Sequence, residues 1–220
     1  PAQTLGDIPG AMRGGAWNND GVILIGTVGA GLYRLPSSGG AALPLTSLNP
    51  GETSHRAPSF LPDGRHFLFY ELAKQGIYVS SLDEPKARTL LRNSTSSAAY
   101  AAPGYVLFSQ EGTLMAQHFD VDRLQLLGDA FPVVEHVGTY NAGQGAFSVS
   151  DRGMIAFSMG PIGDRQLSWL DRAGKTVEKI GPGMNYADIA LSPDQKRAAV
   201  QRMDDDLWIV DLSRGIPSRF

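Results

Sequence analysis

The sequence predicts an all-β protein built from repeated four-stranded antiparallel units. Three observations carry this. First, 26 glycines and 14 prolines are spread along 220 residues, too many breakers for long helices and too evenly placed for one disordered tail. Second, one turn signal recurs at nearly constant spacing. Third, the same order of apolar segments follows each copy of that signal, which is the mark of a repeat architecture.

The signal is a short turn after an apolar or aromatic residue. It reads Trp17-Asn18-Asn19-Asp20-Gly21, Phe60-Leu61-Pro62-Asp63-Gly64 and Leu191-Ser192-Pro193-Asp194-Gln195. A looser copy is Phe147-Ser148-Val149-Ser150-Asp151-Arg152-Gly153, and a degenerate one is Tyr100-Ala101-Ala102-Pro103-Gly104. Anchored on Asp20, Asp63, Pro103, Asp151 and Asp194, the copies lie 43, 40, 48 and 43 residues apart. Asp-Gly supplies the positive-φ position that a tight hairpin requires.

An apolar strand follows each anchor: Val22-Ile23-Leu24-Ile25, Phe67-Leu68-Phe69-Tyr70, Tyr105-Val106-Leu107-Phe108, Met154-Ile155-Ala156-Phe157 and Ala198-Ala199-Val200. A second strand comes next, for example Leu32-Tyr33-Arg34-Leu35, Ile77-Tyr78-Val79-Ser80 and Leu207-Trp208-Ile209-Val210. A weaker, more polar strand closes the unit, as in Leu43-Pro44-Leu45-Thr46, where proline suits a sheet edge. A meander of about 40–45 residues is the size of a propeller blade. Its middle strands are apolar on both faces, because stacked neighbours cover both sides.

The expected units are 13–53, 54–96, 97–142, 143–184 and 185–220, with 1–6 as the outer strand of a preceding blade. About five blades follow, as an open arc of a larger propeller or as a closed five-bladed ring. An open arc would expose apolar faces and a strand edge and so favour pairing between chains. Trp17, Phe60, Tyr100, Phe147 and Leu191 recur at one point of the unit and read as inter-blade core, since packing repeats with the fold.

Composition excludes several functions. The formal net charge of −3, with lysine and arginine scattered singly, leaves no footprint for nucleic acid. Absent cysteine removes disulfides, thiolate metal sites and a cysteine nucleophile. No apolar run approaches the roughly 18 residues of a membrane span, so no membrane contact is expected of this segment. Pro1 and Phe220 both read as cuts in a longer protein.

The turn and strands of the last unit, Leu191-Ser192-Pro193-Asp194 through Leu207-Trp208-Ile209-Val210-Asp211-Leu212, resemble WD-like and TolB-like propeller repeats and the propellers of prolyl oligopeptidases. Three longer strings are similar to propellers appended to bacterial membrane-anchored serine/threonine kinases. They are Gly31-Leu32-Tyr33-Arg34-Leu35, Gly51-Glu52-Thr53-Ser54-His55-Arg56 with Phe60-Leu61-Pro62-Asp63-Gly64-Arg65-His66-Phe67, and Leu170-Asp171-Arg172-Ala173-Gly174-Lys175. That resemblance implies an extracytoplasmic (periplasmic or cell-surface) sensor region, preceded in its parent by a kinase domain and a membrane segment. The kinase motifs themselves, a glycine-rich loop with Val-Ala-Ile-Lys, His-Arg-Asp and Asp-Phe-Gly, are not in these residues. The alternative is the gating propeller of a prolyl-oligopeptidase-like hydrolase whose catalytic domain lies outside this chain.

Nothing in the chain rises to a catalytic constellation. Gly26-Thr27-Val28-Gly29-Ala30-Gly31 has the wrong spacing for a phosphate loop and reads as a hairpin connection. His55, His66, His118 and His136 match no zinc spacing, and Asp204-Asp205-Asp206 matches no calcium loop and reads as a solvated hairpin tip. No Gly-x-Ser-x-Gly elbow occurs. No cofactor and no metal are implied. What varies between repeats is the polar and aromatic loop before each inner strand: Arg13, His55 with Arg56, Tyr140, Asn141 and Gln144, and Tyr186 with Asp188. Variable loops on a repeating scaffold are where binding groups collect. We therefore expect a non-catalytic module that binds a protein, peptide or small ligand through these channel-mouth residues.

Overall fold

The described residues form 22 β-strands, all paired antiparallel. The computed structural model describes residues 5–140, 143–150, 153–159, 165–171, 173–184, 186–202 and 207–219. Four meanders make four-stranded sheets. The first runs through β1 (Met12–Trp17), β2 (Val22–Thr27), β3 (Tyr33–Pro36) and β4 (Leu43–Pro44). The second has β5 (His55–Phe60), β6 (His66–Glu71), β7 (Gly76–Ser81) and β8 (Arg88–Asn93). The third has β9 (Ala98–Ala101), β10 (Tyr105–Gln110), β11 (Thr113–Asp120) and β12 (Gln125–Val134).

Between the third and last sheets lie three two-stranded ladders. They are β13 (Thr139–Tyr140) with β14 (Gln144–Gly145), β15 (Phe147–Val149) with β16 (Ile155–Phe157), and β17 (Arg165–Leu170) with β18 (Thr176–Met184). The last sheet is β19 (Tyr186–Leu191), β20 (Arg197–Arg202), β21 (Leu207–Asp211) and β22 (Ile216–Arg219). The fold is all-β, with four four-stranded antiparallel blades in a propeller-like arrangement.

The recurring turn works through its side chain. Asp63 Oδ1 accepts the backbone N–H of Arg65 and of His66, and Asn18 Oδ1 accepts that of Val22. Ser150 Oγ accepts from Met154, and Asp194 Oδ1 from Lys196. Each bond copies a backbone turn and so fixes where the next strand starts. Gly64 holds φ +66° beside Asp63, whereas Gln195 takes the matching position at φ +58° in the last unit.

Apolar clusters fill the gaps between sheets. Leu24 and Leu32 of the first blade meet Phe67 and Phe69 of the second, while Leu68, Tyr70, Ile77 and Val79 meet Val106 and Phe108 of the third. Phe60, Tyr100, Phe147 and Leu191 join these clusters as expected. Trp17 does not: it is 58% exposed, because among the described residues no sheet covers that face of the first blade.

The segment 143–184 also departs from the expected four-stranded unit. Among the described residues its ladders β15–β16 and β17–β18 are not joined by hydrogen bonds, and Met159 bridges to Val137 instead. Pro161, which cannot donate to a ladder, lies in the sequence between them. Of the stub expected as an outer strand, residues 1–4 lie outside the described residues, and the Leu5 carbonyl accepts the Gly40 N–H at 2.8 Å.

Backbones at the centre approach closely. A Cβ on Gly26 would lie 2.9 Å from Arg13 O, Arg56 Cα and His55 O, and one on Gly14 would lie 2.7 Å from Ala57 Cα. Only glycine fits there. The first and second inner strands are thereby held in contact.

Candidate functional site

Among the described residues, Arg13, His55, Arg56, Gln144, Tyr186 and Asp188 lie in strands β1, β5, β14 and β19, at or within three residues of where each strand begins. In the second blade the register runs His55↔Glu71, Glu71↔Gly76 and Gly76↔Asn93 across that end. Strand alternation sends His55 and Arg56 to opposite faces of β5, and their surroundings differ accordingly.

His55 was expected at the channel mouth. Instead its exposure is 0%, and it belongs to an ionic network that ties the first blade to the second. Its Nδ1 lies 2.7 Å from Thr46 Oγ1, which also accepts the Leu32 N–H. With the threonine hydroxyl donating to Nδ1, the tautomer protonated at Nε2 donates to Glu52 Oε2 at 3.3 Å, which gives both ring nitrogens a partner. Glu52, with a 2% exposed side chain, also receives Arg88 Nη2 at 2.7 Å and the Asn49 N–H. Arg88 Nη1 reaches the Ser47 carbonyl at 2.9 Å. Burial holds the imidazole below its ordinary pKa against the opposing pull of Glu52, with Arg88 acting in the same direction as burial. The ring rests 4.6 Å from that of Phe69.

Glu71, also fully buried, stitches the blade connector to the β6–β7 turn. Its carboxylate accepts the N–H groups of Thr53, Ala73 and Lys74, and at longer range that of Ser54. Burial pushes this carboxyl up, but the four backbone donors outweigh it and hold it below the usual carboxylate range.

Arg56 is nearly buried and donates from Nε to Ser54 Oγ at 2.9 Å. Burial first, and the neighbouring charge of Arg13 second, lower its pKa. Arg13 and Arg56 sit on β1 and β5, strands of adjacent blades whose backbones meet at Gly14 and Ala57. Arg56 pairs in register with Tyr70, whose ring packs against Gly143 so tightly that no side chain fits there. The Gly143 carbonyl accepts the Ser97 N–H at 2.5 Å, and next along the chain Gln144 Nε2 donates to Asp188 Oδ2 at 2.5 Å.

Arg56, Gln144 and Asp188 are thus connected across the second, third and later units through Tyr70 and Gly143, a link that the sequence does not reveal, with Arg13 on the neighbouring strand β1. Tyr186 falls differently: its ring is in the core of the last blade and its hydroxyl donates to the Pro182 carbonyl. Tyr140 starts the same connection in β13, its side chain lying outside the described residues, as does Asn141.

Withdrawal from water raises the Asp188 carboxyl to about 6, opposed by hydrogen bonds from the Ile189 N–H and Gln144. The folded state therefore binds the extra proton, and this stabilising contribution, complete below the ordinary 3.8, is lost as pH rises through about 6. Asp188→Asn should stabilise the protein at pH 7.5 by about 1–2 kcal/mol and flatten its melting profile between pH 4 and 7. Calorimetry across that range checks it, and unchanged slopes would refute the assignment.

Two concavities flank these residues. An apolar crevice of about 30 Å³ between the fourth and fifth units is bordered by Trp169, Tyr186 and Asp188, room for little more than a water molecule. A polar groove of about 540 Å³ lies between the second and third blades. No group of three or more potential metal ligands occurs among the described residues, and Asp204-Asp205-Asp206 lies outside them. The Gly26–Gly31 segment is a hairpin connection from β2 to β3, as expected.

No family model matches the chain, and no curated protein matches it. Solved structures share its fold. The chain aligns over 95% of its length with 79% of a chain in the crystal structure of a nidogen/laminin complex, at TM-score 0.69 and 12% identity. It matches regucalcin, a calcium-binding protein from Agrobacterium tumefaciens, over 88% of its length and 68% of that chain, at TM-score 0.60 and 18% identity. Hydrazine synthase from Kuenenia stuttgartiensis follows at 0.55 and 15%, with 97% of this chain covering 66% of that one. At these identities the likeness is one of fold.

Proposed function

We propose that the chain is a non-catalytic β-propeller module that binds a protein or peptide ligand carrying an anionic group at the mouth formed by its inner strands. The observation that supports this most is the set of residues from Arg13 through Arg56 and Tyr70 to Gln144 and Asp188. Those residues come from separate repeats and vary between repeats, and they include two arginines whose charges act on each other. Guanidinium groups favour carboxylate or phosphate partners. The surrounding scaffold holds them on strands rather than on long loops, which suits recognition.

Within its parent, we read the module as the extracytoplasmic sensor region of a bacterial serine/threonine kinase. The kinase-linked strings around Gly31–Leu35, Gly51–Phe67 and Leu170–Lys175 support that reading. Among the described residues no helix is long and apolar enough to cross a membrane.

Thermal-shift screening against acidic peptides and cell-wall fragments tests the binding role. A true ligand at a hundredfold excess over its Kd should raise the midpoint by about 5–10 °C. Arg13→Glu should abolish that rise while leaving the unliganded midpoint nearly unchanged, since the Arg13 side chain bonds only the exposed Met12 carbonyl among the described residues. A panel that shifts nothing, or a shift that survives Arg13→Glu, would sink the proposal.

A further inference from the structure

The groove between the second and third blades is bounded by two hairpin tips, β6–β7 with Lys74 and Gln75, and β10–β11 with Gln110 and Glu111. Its floor is the connector from Asn93 to Thr95, with Ser109 beneath. This floor is fixed. The Ser94 N–H donates to the Gln75 carbonyl at 2.7 Å, Ser94 Oγ and Ser96 bond each other, and the Ser109 N–H donates to Ser96 Oγ at 2.7 Å. Arg92 lines the wall but is committed: Nη1 donates to Gln117 Oε1, and the guanidinium lies 3.8 Å over the Phe108 ring. At about 540 Å³ the space is within the range of ligand-binding clefts.

We propose that this groove binds a polar peptide segment, held through the peptide's backbone amides; the proposal rests on the binding role inferred for this end of the blades. The side chains of Gln75, Asn93, Thr95, Gln110 and Glu111 carry hydrogen-bonding groups that no described residue engages, and all of them line this one groove. Three are carboxamides, each offering a donor and an acceptor in one plane, the complement of a peptide group. No aromatic side chain lines the groove, so it offers no platform on which a base or sugar ring could stack.

The two tips share a second feature. Gln75 at φ +51° and Glu111 at φ +50° occupy the left-handed region, where glycine fits without strain. Glu111-Gly112 forms a two-residue hairpin turn with both φ values positive, a position for which Asn, Asp or Gly is the usual choice.

The same strain makes a clean test, because Gln75→Gly with Glu111→Gly removes both rim side chains while relieving the backbone. The full chain, labelled for amide NMR, is titrated with a pool of blocked tetrapeptides built from Ser, Asn, Asp and Lys, and separately with chitotriose. Saturable shifts at residues 74–76, 92–96 and 109–112 are expected from the peptides and none from the sugar. The double variant should melt at or above the wild-type midpoint and bind the peptides about tenfold more weakly, the loss of two hydrogen bonds. Equal affinity of the variant, a response to chitotriose, or no saturable shift in the groove overturns the proposal. Shifts confined to Arg13, Arg56, Gln144 and Asp188 would overturn it too, while leaving the mouth as a binding site.

Discussion

Arg88→Ala is expected to lower the unfolding free energy by about 3–5 kcal/mol, because it leaves the Glu52 carboxylate buried without its cation. The pair is closed off from water on both sides, with side-chain exposures of 8% and 2%. Lys74 Nζ, 3.8 Å from the other carboxylate oxygen and 44% exposed, makes a longer and more solvated ion pair that replaces Arg88 only in part. Removing both charges should cost much less. Glu52→Gln with Arg88→Met should recover most of the loss, since a buried ion pair and a well-packed neutral pair have similar worth.

Urea unfolding resolves the question: the midpoint should fall sharply in Arg88→Ala with the slope unchanged, and rise again in the double variant. Arg65→Ala is the internal control. It breaks an ion pair to Asp83 in which both side chains are more than half exposed, so the midpoint should stay where it is. Equal effects at Arg88 and Arg65 would show that the buried network does not hold the first two blades together.

Glu71→Ala should cost a similar amount, about 3–5 kcal/mol, by a different route. It removes the acceptor of up to four backbone N–H groups, of Thr53, Ser54, Ala73 and Lys74, and that of Ser54 is buried. Glu71→Gln keeps the shape and one acceptor oxygen and should lose only about 1–2 kcal/mol.

The pH dependence separates the two buried groups. His55 is depressed below 6.5, so its contribution is present above 6.5 and fades as pH falls through its folded value. Glu71 is depressed below 4.5, so its contribution is present above 4.5 and is lost only in stronger acid. In an Asp188→Asn background, which removes the opposing Asp188 titration, stability should therefore decline in two stages on acidification, and Glu71→Gln should erase the second stage alone. A single acid transition in both proteins would refute this division.

The repeat was legible in the sequence because its turn chemistry is local. Asp63 contacts N–H groups two and three residues on, so the signal and the structure it makes lie within one short string. The ionic network was hidden for the opposite reason. Glu52 and Arg88 are 36 residues apart, and neither is unusual among neighbours. Strand alternation separates His55 from Arg56, but which of them faces inward depends on Thr46, Phe69 and Arg88, all brought in by other strands.

The groove was hidden likewise. Gln75 and Gln110 read as ordinary hairpin-tip residues, and only stacking of two blades sets the tips opposite each other. Trp17 shows the limit of reasoning by repeat: equivalence in the unit is not equivalence in the molecule when one face lacks a neighbour.

The close approach at Gly26 has a further meaning for recognition. With Arg13 O, Arg56 Cα and His55 O all 2.9 Å from where a Cβ would stand, β5 cannot shift toward the first blade, and its other face is fastened by the histidine network. The Arg56 backbone therefore has little freedom left to lose. A ligand arriving at the mouth meets a surface whose ordering entropy was spent during folding, so its contacts are diluted less by immobilisation. Affinity at such a site should reside in slow dissociation rather than in adaptive closure.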